Sequence, residues 1–145
     1  MSETKISPKE KTVLIVDDDE GICTFLRVLL EKEGFNTEVA YNGDAAIKKV
    51  DEKKIDLVIL DWMMPILSGF EVLKMLQTDD HRGIPVIVIT ARVADRKTVD
   101  MIKQEMNVAE FMPKPIKHAV FLNRLHQLLN TISPEEQKLQ GRNFF

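Results

Sequence analysis

"DLVILDWMMPILSGFEVL", residues 56–73, carries an apolar run that stops on a charge. Leu57, Val58, Ile59 and Leu60 are apolar at four successive positions, and then Asp61 and Trp62 follow. A strand covered on one face alternates apolar and polar residues, whereas one covered on both faces reads as an unbroken apolar run. The stretch therefore predicts a central strand of a two-faced sheet, with Asp61 at its carboxyl end. Ser68-Gly69-Phe70-Glu71 then matches a capping box that opens a helix, with Phe70, Leu73 and Leu76 inward.

The same pattern recurs along the chain. Val13–Val16 and Val86–Ile89 are further β-branched runs of the buried kind. Thr37–Tyr41 alternates more and suits an edge strand. Ala109–Met112 runs into Pro113, which a central strand would not accept. Between these runs lie stripes at helical spacing: Ile22 to Leu30, Ala45 to Val50, Val99 to Met106, and Phe121 to Ile132. Gly34 reads as a C-cap and Asn107 as a residue for a left-handed turn. Strands separated by helical crossovers must be mostly parallel. The expected fold is α/β and flavodoxin-like: a doubly wound five-stranded parallel sheet with five helices, for which the flavodoxin-like type implies the order 2-1-3-4-5.

Composition narrows the function classes. The chain has 145 residues, 44% hydrophobic and 30% charged, which suits one globular domain. Its net charge of −3 gives no general attraction to nucleic acid or anionic membrane. No apolar run approaches the ~20 residues that span a bilayer, and MSETKISPKEKT lacks a signal core. Cys23 is the single cysteine, so a reducing cytoplasm fits and its expected role is packing. The domain reading is a flexible tail over residues 1–11, the domain over 12–131, and a short extension over 132–145. In that extension Ser133, Pro134 and Glu136 predict one further helix, too little for an output domain. Phe144–Phe145 are expected as a frayed end or a local dock.

Ligands of open parallel sheets bind at the carboxyl ends of strands. There the sequence sets Asp17-Asp18-Asp19-Glu20 after the first strand, Asp61 after the third, Thr90-Ala91 after the fourth and Lys114 after the fifth. Each alone has a plain explanation: Asp19 is a natural N-cap, Asp61 could cap a turn, and Lys114 could be a surface lysine. Together they make a different case. Three close carboxylates repel one another, and a divalent cation with oxygen ligands relieves that conflict. Aspartate is an established phosphoryl acceptor, and a metal, a hydroxyl and an ammonium would stabilise the charge in flight.

On VLIVDDDE (13–20), LDWMMPILSG (60–69), VIVITA (86–91) and FMPKPI (111–116), the chain resembles response-regulator receiver domains, the CheY-like phosphoacceptors of two-component signalling. The resemblance covers about residues 12–131 and points to a stand-alone receiver. It implies that Asp61 is phosphorylated by a histidine kinase or phosphotransfer protein. It implies Mg²⁺ or Mn²⁺ on Asp17, Asp18, Asp61 and the Met63 backbone carbonyl. Thr90, Ala91 and Lys114 would bind the phosphoryl group. Phe111 would join Thr90 in a switch that alters the surface of the fourth helix, fifth strand and fifth helix. The partners implied are the phosphodonor and an unnamed effector protein, without direct nucleic acid contact or membrane insertion. The state expected is monomeric or a weak phosphorylation-dependent homodimer, with His126 and Gln127 facing solvent.

Met63 and Arg92 occupy the positions that flank the site in this family. Pro113 before the lysine is an unusual residue there, and the Lys114–Pro115 bond resembles one that is cis. Two other readings compete: a haloacid-dehalogenase-like phosphatase using Asp17-x-Asp19, which would leave Asp61 without a task, and a degenerate docking module.

Overall fold

The computed structural model describes residues 4–64, 68–78, 80–91 and 95–141. Over them the chain runs β1 (Thr12–Val16), α1 (Glu20–Lys32), β2 (Asn36–Ala40), α2 (Gly43–Glu52), β3 (Leu57–Asp61) and α3 (Gly69–Met75). It continues with β4 (Val86–Thr90), α4 (Arg96–Lys103), β5 (Val108–Pro113), α5 (His118–Leu129) and α6 (Pro134–Gln140). All strand pairings are parallel, in the order β2-β1-β3-β4-β5. This is the doubly wound α/β arrangement predicted, with a sixth helix where Ser133 caps the extension.

Every residue of β3 and β4 is buried, and alternation decides which core each side chain joins. Leu14, Val16, Val58, Leu60, Val86 and Val88 pack with residues of α2, α3 and α4. Val13, Ile15, Leu57, Ile59, Ile87 and Ile89 pack with residues of α1 and α5. Successive side chains of a strand point to opposite faces, so two covered faces demand the unbroken apolar runs seen in the sequence. Helix ends obey their caps: Asp19 accepts the amides of Gly21 and Ile22 ahead of α1, and Ser68 accepts that of Glu71 in α3. Gly34, just past α1, takes φ 101°, a conformation glycine adopts without a Cβ penalty.

Pro113 causes no break. The amide of Lys114 donates to the Thr90 carbonyl at 2.8 Å, so the preceding residue directs its nitrogen toward the open edge. β5 is that edge, and a missing donor there removes no ladder bond. The Lys114–Pro115 bond is cis.

Four local expectations need correction. Asn107 does not turn left-handed; the non-glycine residue with positive φ among those described is Asn130. Asn107 is instead buried, its amide group accepting from Gln77 at 2.9 Å and donating to the Leu73 carbonyl at 3.3 Å. α5 ends at Leu129 rather than at Ile132, because Asn130 reverses the chain at φ 53°. His126 does not face solvent: it is 6% exposed, 2.7 Å from both Thr131 Oγ1 and Glu33 Oε2. Residues 4–11, read as part of a flexible tail, are tied down. Ile6 exchanges backbone hydrogen bonds with Asn130 and Ile132, Pro8 is buried, and Lys5 pairs with Glu136 at 2.6 Å. Arg92 and Phe144–Phe145 lie outside the described residues.

Candidate functional site

The carboxyl ends of β1, β3, β4 and β5 meet in an open cleft of about 480 Å³, lined by Asp17, Asp18, Asp61, Met63, Ala91 and Lys114. One carboxylate oxygen from each of Asp17, Asp18 and Asp61 lies within 4.8 Å of the others. Asp17 and Asp61 are buried while Asp18 is exposed, so the cluster has two anchored acids and one at the mouth. Lys114 Nζ lies 2.8 Å from Asp17 Oδ2 and 3.7 Å from Asp61 Oδ1.

Asp17 is held on several sides. Its Oδ1 accepts the Asp19 amide at 2.9 Å, and its carbonyl accepts the Cys23 thiol at 3.2 Å. That thiol is buried, and desolvation together with the Asp17 charge pushes its pKa up to about 11, which fits packing rather than reactivity. Asp61 Oδ1 accepts the Met63 amide at 3.3 Å. Burial, then the charge of Asp17, push the Asp61 carboxyl up to about 6, against the pull of Lys114 and of the Met63 amide. Burial works against the Lys114 ammonium, but its hydrogen bond to Asp17 and the charge of Asp61 hold its pKa above the ordinary lysine value.

This donor set fits a hard divalent cation. Buried like charges that one ammonium does not neutralise are relieved by such an ion, and an open cleft leaves room for the waters that Mg²⁺ keeps. Asp19 also lines the cleft, yet its Oδ1 already accepts the amides of Gly21 and Ile22, at 2.9 and 3.2 Å. That ties Asp19 to the start of α1 as its N-cap and sets it apart from Asp18.

Thr90 ends β4 and is buried beside the exposed Ala91. Phe111 is not in the cleft. It pairs in register with Val88 and packs, half-buried, against the core on the α4 side. Val88 lies in the same core, and Thr90 is two positions along, so Thr90 and Phe111 share a face of the sheet. Two features escaped the sequence reading. Met64 is buried at the cleft. Gly69 lies against the backbone of Asp61 and Trp62. The tight "SG" at the mouth of α3 was its one visible sign.

A family description, response regulator receiver domain, matches residues 13–126. The chain belongs to that family. The receiver is 36% identical to the transcriptional regulatory protein CpxR of Escherichia coli over 131 residues, 90% of this chain and 54% of CpxR. It is 32% identical to the CAI-1 autoinducer sensor kinase/phosphatase CqsS of Vibrio cholerae, across 82% of this chain and 17% of that protein. The crystal structure of the Vibrio cholerae chemotaxis protein CheY4 superposes with a TM-score of 0.72 at 25% identity, covering 82% of this chain and 98% of that one. The chain spans about half the length of CpxR, whereas CheY4 is covered almost whole. Receiver domains of this family are signalling phosphoacceptors that work with histidine kinases and downstream effectors. Among the described residues no helix is long and apolar enough to cross a membrane.

Proposed function

We propose that Asp61 is the phosphoacceptor of this receiver and takes its phosphoryl group from a histidine kinase or phosphotransfer protein. The observation that carries the reading is the convergence of three carboxylates within 4.8 Å beside a lysine 3.7 Å from Asp61. An Asp61 carboxylate oxygen attacks phosphorus, the bond from phosphorus to the donor breaks, and the donor keeps the electron pair. Asp17, Asp18, Asp61 and the Met63 carbonyl would hold Mg²⁺, or Mn²⁺, which when bound neutralises acceptor and phosphoryl charge. Lys114 leaves its contact with Asp17 to pair with a phosphoryl oxygen. The Thr90 hydroxyl and the Ala91 amide donate to the others.

The same chemistry supports self-phosphorylation from small phosphodonors and slow loss of the group to water. Thr90 and Phe111 share a sheet face, which favours a switch that reshapes the surface of α4, β5 and α5 for an effector protein. CpxR is by name a transcriptional regulator; in this chain a net charge of −3 favours protein partners over direct nucleic acid contact. Monomer, or a weak homodimer formed on phosphorylation, is the state proposed.

Incubation with Mg²⁺ and acetyl phosphate, read by intact mass, tests the reading. One phosphoryl adduct per chain is expected, dependent on Mg²⁺ and lost in Asp61→Asn. An adduct on Asp17, or multiple-turnover phosphate release, would sink it in favour of a phosphatase. No adduct at all would leave a docking module.

A further inference from the structure

The phosphoacceptor reading asks for a carboxylate held still beside two others, and one contact that holds it comes from a residue without a side chain. α3 begins at Gly69, directly against the end of β3. A Cβ built at Gly69 would lie 2.7 Å from Trp62 Cα, 2.8 Å from the Asp61 carbonyl oxygen and 2.9 Å from the Trp62 carbonyl oxygen. All three neighbours are backbone, so no rotamer change relieves the clash. Ordinary contact begins at 3.4 Å, so any side chain must drive the two backbones several tenths of an ångström apart.

Other contacts press the same segments together. The Gly69 amide donates to the Trp62 carbonyl at 3.3 Å, and the Trp62 amide donates to the Ile89 carbonyl at 2.9 Å. The Trp62 ring meets the Phe70 ring edge-on, centroids 5.9 Å apart. Asp61–Trp62 is thus clamped between β4 on one side and the first turn of α3 on the other. Oxygen ligands must lie about 2.0–2.1 Å from Mg²⁺ in near-ideal geometry, so displacements of that size matter at the metal.

We infer that Gly69 is a positioning residue of the site: its bare Cα lets α3 press on the Asp61–Trp62 backbone and so sets the Asp61 carboxylate against Asp17, Asp18 and Lys114. This rests on the phosphoacceptor reading of Asp61.

The test compares Gly69→Ala with Ser68→Ala. The second removes the α3 cap and weakens the same helix without intruding on Asp61. Mg²⁺ is titrated against Trp62 fluorescence, Trp62 being the one tryptophan in the chain. Thermal melts are recorded in parallel, and acetyl phosphate labelling is followed by intact mass. Gly69→Ala should weaken Mg²⁺ binding about 10-fold, as loss of an outer support does at metal sites. Its labelling should slow by a similar factor at low Mg²⁺ and recover as Mg²⁺ is raised. Ser68→Ala should melt earlier with an unchanged Mg²⁺ midpoint. Equal midpoints in Gly69→Ala and wild type, or an equal displacement in Ser68→Ala, overturn the inference while the wild-type adduct leaves Asp61 as acceptor. A wild type that takes no adduct overturns both. Should Gly69→Ala fail to fold, hydrogen exchange of the Gly69 amide in the wild type decides: saturating Mg²⁺ should slow it, and an unchanged rate counts against the clamp.

Discussion

The two ends of the sheet treat their polar groups in opposite ways. At the carboxyl end, Asp17 and Asp61 are buried beside each other with the exposed Asp18, and Lys114 pairs with the two buried acids. At the other end the buried His126 is matched. His126 lies between Thr131 and Glu33, each 2.7 Å away, and its ring rests 5.1 Å from Phe35. With the ring neutral, Nε2–H donates to the Glu33 carboxylate while Nδ1 accepts from the Thr131 hydroxyl. Ile6 ties that turn to the N-terminal segment. The carboxyl end stores a conflict that a cation or phosphoryl chemistry can use; the His126 network brings no like charges together. Perturbed acids gather where function needs them, and a satisfied buried network stabilises the fold.

Substitutions at the two ends should therefore separate activity from stability. The largest effect expected is in Asp61→Asn, with complete loss of the Mg²⁺-dependent adduct by intact mass and no loss of fold by circular dichroism. Retained labelling in that variant would erase the distinction between the ends. Next comes His126→Ala, which removes a buried ring and leaves Glu33 and Thr131 without it. A loss of about 2–4 kcal/mol is expected from urea unfolding, while acetyl phosphate labelling of the folded fraction stays at the wild-type rate. A slowed labelling rate would show that the ends are coupled.

The third effect depends on pH. Asp61 titrates near 6 in the folded chain against an ordinary value of 3.8, so between these values the folded state holds a proton that the unfolded state has released. Stability from this group is thus present at low pH and lost as pH rises through about 6. The loss is roughly 2–3 kcal/mol at about 1.4 kcal/mol per pKa unit. Glu38, Glu105 and Glu136 are shifted downward and change stability in the opposite sense, lower down the pH scale. Subtracting the Asp61→Asn curve from the wild-type curve, without metal, isolates the Asp61 contribution. A flat difference between pH 4 and 7 would mean that Asp61 carries no stored conflict. The smallest effect is at the ion pair of Lys5 and Glu136, both partly exposed. Lys5→Ala should cost no more than about 1 kcal/mol and less in high salt. A larger loss would make the terminal clasp a major support of the opposite end.

Most of the architecture was legible because it is written at short range. Four-residue apolar runs, helical stripes and capping boxes report only on neighbours in sequence, and these were enough for the alternation of strands and helices and for the strand ends. The acids of the cleft were legible for the same reason, since each follows its strand directly. His126 was misread because its partner, Glu33, lies 93 positions away, beyond any local pattern. Asn107 was misread because its residue type suits a left-handed turn, yet Gln77 and Leu73 offered its side chain buried partners.

The sequence alone determined the alternation of strands and helices, the two-sided burial of β3 and β4, and which residues stand at the rim. Periodicity and caps suffice for that. Only the tertiary structure decided how closely Asp17, Asp18 and Asp61 gather, with oxygens within 4.8 Å of one another. It alone brought Lys114 to Asp17 across 97 residues and pressed the bare Gly69 onto the backbone of Asp61 and Trp62. Those outcomes depend on how separate elements approach one another to within ångströms, and no local pattern in the chain records that distance.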